Sequence, residues 1–167
     1  MKKFAIAILT SAFIAAPAIA ADTGFYAGVK LGSANKSINS ISESNSAFGF
    51  FGGYSFNPNV AAEIGYTDLG TVASGIVKFS ALELSAVGSY PINQQFSLYG
   101  KLGLANSKEE GGGFSGTRSA LTYGVGGQFN AASNIGVRLG WEHYGTGGGP
   151  WIDGDASVVY AAGVFRF

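Results

Sequence analysis

The chain has no cysteine, one histidine, one methionine and four prolines in 167 residues. Without cysteine, neither a disulfide framework nor a thiolate metal centre is available. Charge is scarce as well: charged residues make up 12% of the sequence. With Lys2 and Lys3 set aside as part of a leader, eight basic residues face ten acidic ones. That balance argues against a nucleic-acid partner, which would call for a basic patch or stripe. After the leader, no apolar run is long enough for a membrane-spanning helix. A chain of this kind can enter a bilayer only as a closed barrel.

What the sequence does have is glycine and aromatics, 27 glycines and 14% Phe, Trp and Tyr. Residues 1–20 carry the marks of a secretory signal: Lys2 and Lys3, the apolar stretch Phe4–Ala16, and Ala18-Ile19-Ala20 before the cleavage point. The domain is therefore expected over residues 21–167. Its plan is set by Ala47–Leu69, two strands reversing at Asn57-Pro58-Asn59. Side chains on a strand alternate between faces. Phe48, Phe50, Tyr54 and Phe56, then Val60, Ala62, Ile64 and Tyr66, form a greasy face, while Phe51, Glu63 and Thr67 fall on the other.

Eight such strands are expected: Gly24–Ser33, Ala47–Phe56, Val60–Asp68, Lys78–Tyr90, Phe96–Asn106, Ser119–Phe129, Ile135–His143 and Ala156–Phe167. Short connections (57–59, 91–95, 130–134) alternate with long ones (34–46, 69–77, 107–118, 144–155). Alternation of tight turns with larger outer loops is a transmembrane barrel pattern and puts both termini in the periplasm. Parity alone would also suit a soluble sandwich. The aromatics decide: Phe25, Phe56, Tyr90, Phe96, Phe129 and Phe167 all point outward at one end, as an interfacial girdle does. The expected fold is all-β, an eight-stranded antiparallel up-and-down transmembrane barrel.

FYAGVKLGSA (25–34), FGGYSFNPNVAAEIGYTDLG (51–70), SYPI (89–92), LYGKLG (98–103) and YAAGVFRF (160–167) resemble the transmembrane domain of the outer membrane protein A family. They are also similar to the wider group of small barrels that includes opacity and surface-protein relatives. The resemblance implies a cell outer membrane location. Phe165 and Phe167 look like the C-terminal aromatic signal that the outer-membrane assembly machinery recognises. Full-length members add a periplasmic peptidoglycan-binding domain; here the expectation is a stand-alone barrel.

The inward charges are Lys30, Lys101, Arg138 and Arg166 against Glu63, Glu83 and Glu142. Eight strands leave an interior just wide enough for side chains to fill. These charges are expected to neutralise one another as a lumen ion-pair network. By resemblance, Glu63 and Arg138 match a lumen ion pair of the family that obstructs passage. The family's alternative lysine aligns with Val87 and its second glutamate with Gln128, which points to a static plug rather than a switch.

No catalytic, cofactor or metal site is expected. Lipid A deacylase barrels resemble this layout and place a Ser two residues after a His, but Gly145 follows Tyr144 after His143. That removes the nucleophile. Glu109-Glu110 and Asp153–Asp155 lack EF-hand spacing, and the glycine triplets at 111–113 and 147–149 lack the ending of a phosphate loop. Lys78 and Arg118 border strands at the outer rim and are expected to contact lipopolysaccharide phosphates; Trp151 is the outer-loop aromatic. The expected role is a non-enzymatic, monomeric barrel maintaining the envelope, its partners being outer-membrane lipid, lipopolysaccharide and assembly machinery. The alternatives are a narrow channel for ions or small solutes and a loop-mediated adhesin that meets a host or surface ligand.

Overall fold

The computed structural model describes residues 23–38, 41–72, 77–111, 114–145 and 154–167. The expected signal segment and Trp151 lie outside them. Eight strands follow in order: β1 (Gly24–Ile38), β2 (Ile41–Asn57), β3 (Val60–Val72), β4 (Val77–Pro91), β5 (Phe96–Gly111), β6 (Phe114–Asn130), β7 (Ile135–Tyr144) and β8 (Gly154–Arg166). Each pairs antiparallel with its neighbour, and β8 returns to β1, closing the barrel.

The turns form where the sequence provides their acceptors. The side-chain oxygen of Asn57 accepts the backbone N–H groups of Asn59 (2.8 Å) and Val60 (2.9 Å). Asn93 does the same for Gln95 (2.9 Å) and Phe96 (2.8 Å). Both are Asx turns, in which a side chain replaces the backbone acceptor of a tight reversal. At the opposite end, Gly70 adopts φ +81°, its N–H bonded to Asp68 Oδ1 at 2.9 Å. The β3–β4 register shifts there by one residue. This is a bulge built on the left-handed conformation that glycine tolerates.

Period-two alternation holds around the barrel. Leu31, Phe50, Ile64, Leu84, Leu104, Val125, Leu139 and Val159 are exposed, one from each strand. Their inward neighbours, among them Lys30, Phe51, Glu63 and Glu83, are buried. At the turn end, Phe25, Phe56, Tyr90, Phe96, Phe129 and Phe167 all face outward and exposed, as the girdle argument requires. Several touch in pairs, Phe96 with Phe129 at 4.8 Å and Phe165 with Phe167 at 5.2 Å between ring centroids. At the other end the apolar belt stops at a ring of short polar side chains. Ser33, Ser46, Asn106 and Ser119 are exposed, and Ser80 and Ser157 half-buried. Ser33 bonds Ser44 at 2.8 Å and Ser119 donates to Asn106 at 2.5 Å.

The strands run further than the sequence pattern indicates. The expected loops 34–46 and 107–118 are mostly paired hairpin, the ladder reaching Ile38↔Ile41 and Gly111↔Phe114. Glu109 and Glu110, read as part of a loop, pair with Gly116 and Ser115. The discrepancy has a simple cause. A ladder needs only backbone groups, and beyond the apolar belt no alternation of greasy and polar side chains marks its path.

Candidate functional site

The barrel's interior holds its concentrated chemistry. Six charged residues from five strands meet there: Lys30 (β1), Glu63 (β3), Glu83 (β4), Lys101 (β5), Arg138 (β7) and Glu142 (β7), none more than 5% exposed. Three cations face three carboxylates, so the buried set is neutral.

The contacts form two linked groups. In the first, Lys30 Nζ donates to Glu142 Oε2 at 2.6 Å and to the Tyr144 hydroxyl at 3.0 Å. Tyr144 in turn donates to Glu142 Oε2 at 2.6 Å and lies 3.2 Å from Thr67 Oγ1. Lys101 Nζ donates to Glu83 Oε1 at 2.6 Å and to Glu142 Oε1 at 3.0 Å. In the second, Arg138 Nη1 donates to Glu63 Oε1 at 2.6 Å, and Tyr26 donates to the same oxygen at 2.8 Å. Arg138 Nε and Nη2 both donate to Gln128 Oε1, at 3.2 and 3.1 Å. Lys101 joins the groups, its ammonium standing 3.5 Å from Glu63 Oε2.

Aromatic rings wall this network. The Arg138 guanidinium carbon lies 4.7 Å from the ring centroid of Tyr99, 5.0 Å from Phe51 and 5.9 Å from Tyr26. Tyr99 and Tyr160 share a hydrogen bond of 2.8 Å across the barrel. Inward glycines make room for these rings. A Cβ on Gly140 would strike the Tyr99 hydroxyl and crowd Tyr160, and one on Gly28 would strike the ring of Phe51. Glycine opposite an aromatic is thus a packing device, and the lumen is filled with side chains.

Of the residues expected in the network, six meet as pairs, and the Glu63–Arg138 contact is among them. Arg166 lies lower, half-exposed near the end of β8, where it lines the mouth. Gln128, at the position of the family's second glutamate, is a neutral acceptor for Arg138. Val87 is buried but offers no charge, so the second cation beside Glu63 comes from Lys101 on β5. Tyr144 went unnoticed because the expected strand stopped at His143; extending the parity of Glu142 by two residues finds it. Tyr26, Tyr99 and Tyr160 share the inward parity, and only their bonding roles were hidden.

His143 faces outward and half-buried between Tyr123 (4.9 Å between centroids) and Trp141 (6.0 Å), its Nδ1 3.2 Å from Ser157 Oγ. Among the described residues no group of His, Cys, Asp and Glu could hold a metal ion. The backbones of Lys78 and Arg118 pair with those of Glu110 and Ser107; their side chains lie outside the described set. Phe165 is half-buried and Phe167 exposed at the seam, where the Phe167 N–H bonds the Phe25 carbonyl at 2.9 Å.

A family model described as the outer membrane protein beta-barrel domain matches residues 4–167. Outer membrane protein A of Klebsiella aerogenes is 35% identical over 123 residues, covering 62% of this chain and 35% of that protein. Outer membrane protein P5 of Haemophilus influenzae is 32% identical over 129 residues, covering 63% and 36% respectively. The chain thus spans about a third of the length of these curated relatives. Neisserial surface protein A has a similar structure, with a TM-score of 0.71 at 18% identity over 86% of this chain and 97% of that one. Ail, the attachment invasion locus protein of Yersinia pestis, solved with the heparin analogue sucrose octasulfate, gives 0.60 at 21% identity over 86% and 99%.

Proposed function

The chain belongs to the family of outer membrane protein beta-barrel domains, and from that premise we propose that it is a non-enzymatic envelope component whose lumen is plugged by its own side chains. The observation that carries this reading is the neutral network of Lys30, Glu63, Glu83, Lys101, Arg138 and Glu142, buried and mutually bonded. An ion crossing the barrel would have to part these pairs in a dry interior, where separating one partner from another costs several kcal/mol. Planar bilayers containing the purified barrel test the plug directly. The expected trace shows no unitary conductance; stable steps that grow with salt concentration would replace this reading by a narrow channel.

The barrel sits in the outer membrane, among its lipids. Within the proposal, the short turns and both termini face the periplasm, the longer hairpins face outward, and the protein works as a monomer. Lys78 and Arg118 meet lipopolysaccharide phosphates at the outer rim, and Phe165 and Phe167 serve as the assembly signal. Protease accessibility of the hairpin tips on intact cells tests the orientation, with cleavage expected in 107–118.

A second reading has its own support. The β5–β6 hairpin stays paired through Gly111 and Phe114, well beyond the last outward leucines, Leu104 and Leu121. A braced hairpin of this kind is a rigid platform for loop-mediated surface recognition. Ail, one of the similar structures, is an attachment protein solved with a heparin analogue. Deleting residues 107–118 and measuring adhesion to host cells tests this role, and unchanged adhesion would remove it.

A further inference from the structure

The turn end of the barrel opens into a cavity of about 430 Å³. That is within the size range of small-molecule sites. Its lining is mixed. Buried Tyr26, Val87 and Val164 supply apolar surface, and half-buried Ser55, Ser89 and Ser97 bring hydroxyls from β2, β4 and β5. A concavity that joins apolar surface to a few convergent polar groups is the general form of a ligand site.

The bonding of these groups indicates what the cavity takes. The cations beside it are engaged: Arg138 donates to Glu63 at 2.6 Å, and Arg166 has an interaction of its own within the chain. The three serine hydroxyls are not. Among the described residues none of them bonds another group, whereas at the opposite end Ser33 pairs with Ser44 and Ser119 with Asn106. Each hydroxyl offers one donor and two acceptor lone pairs without charge. The backbone fixes where they stand. Ser89 donates its N–H to the Asn59 carbonyl at 2.7 Å, and its own carbonyl accepts Asn59 Nδ2 at 2.9 Å. Ser55 and Ser97 lie beside the turns that Asn57 and Asn93 lock. A rim held this way loses little freedom when a ligand binds.

We propose that this mouth binds a small neutral polyhydroxylated solute, a mono- or disaccharide, through the hydroxyls of Ser55, Ser89 and Ser97. A sugar carries hydroxyls that both donate and accept, which matches the serines, and C–H faces that suit Tyr26, Val87 and Val164. A charged solute finds no uncommitted counter-charge there. The site lies on the turn side of the Glu63–Arg138 pair and requires no passage through the barrel, so it stands whether or not the lumen conducts.

The test follows the backbone amide resonances of the folded barrel in a phosphocholine detergent, which has no sugar headgroup. Glucose and maltose are titrated separately, with betaine at equal osmolality as a neutral control that lacks hydroxyls. The expected result is saturable shifts at Ser55, Ser89 and Ser97 with at least one sugar, none with betaine, and none at Ser33 on the far end. Ser89→Ala and Ser97→Ala combined in one chain are expected to weaken affinity about tenfold, the loss of two hydrogen bonds. Ser33→Ala is expected to leave it unchanged. An unaltered amide spectrum away from each substitution confirms that the variant is folded. Shifts that stay linear with both sugars, the same shifts with betaine, or undiminished affinity in the double serine variant would overturn the site.

Discussion

Removing Arg138 tests whether the lumen charges act as pairs. In Arg138→Met the Glu63 carboxylate keeps the Tyr26 hydroxyl at 2.8 Å and a distant Lys101 at 3.5 Å, but loses its 2.6 Å guanidinium contact. Gln128 Oε1 loses both of its donors at the same stroke. Breaking a buried pair from one side costs about 3–5 kcal/mol, most of it the penalty of stranding a charge. An unsatisfied buried amide oxygen contributes about 1–3 kcal/mol, overlapping that figure rather than adding to it. Adding Glu63→Gln removes the stranded charge, and Lys101 retains Glu83 and Glu142 at 2.6 and 3.0 Å. The double variant is therefore expected to recover about half or more of the loss, a coupling of about 2 kcal/mol. Urea unfolding in lipid vesicles, followed by tryptophan fluorescence and by gel mobility without boiling, measures each corner of the cycle. Additive losses in the single and double variants would show that Glu63 and Arg138 are neighbours without being partners.

Leu84→Arg, at a residue 66% exposed on the belt, is expected to cost about 2–4 kcal/mol, whereas Phe96→Arg in the girdle costs about 0–1 kcal/mol. Equal urea midpoints for the two would contradict the assigned depth. Gly140→Ala drives a methyl into the Tyr99 hydroxyl and is expected to destabilise by about 1–3 kcal/mol. Tyr99→Phe in the same chain should restore part of that loss, and an undiminished loss would place the clash elsewhere. Replacing Lys78 and Arg118 together by Gln is expected to lower stability in lipopolysaccharide-containing bilayers and not in zwitterionic ones. The same loss in both lipids would assign the two residues to packing.

Period two made the faces legible. Knowing only that Glu63 and Arg138 have inward parity was enough to place both in the lumen. Partnership was harder to read. Lys30 and Glu142 are 112 positions apart, and their meeting depends on the barrel's stagger as well as on parity. Sequence spacing carries no record of that stagger, which is why Lys101 could not be foreseen as the link between Glu63 and Glu142. Tyr144 was lost to a boundary drawn one residue short. The hairpin extensions were lost for a different reason: Ser, Asn, Lys and Glu on both faces give no contrast for alternation to reveal. Arg166 has the right parity but the wrong height, and height along a tilted strand follows from register with its neighbours.

The seam between β1 and β8, where Tyr26 stands opposite Arg166, shapes how such a molecule can come into being. A sheet of seven of these strands would present two rows of unpaired amides and carbonyls to hydrocarbon, where no water is available to satisfy them. Its open interior would hold Lys30 on β1 and Glu142 on β7 at opposite edges, apart from the partner each meets at 2.6 Å in the closed barrel. Both debts are cleared by one event, the joining of β8 to β1, where positions 26 and 166 are the most distant in sequence of the paired strand residues described. Folding dominated by such distant pairing is slow. The molecule thus has little use for partial success: the eighth strand turns an unsatisfied ribbon into a wall without an edge, and stability arrives largely at that moment.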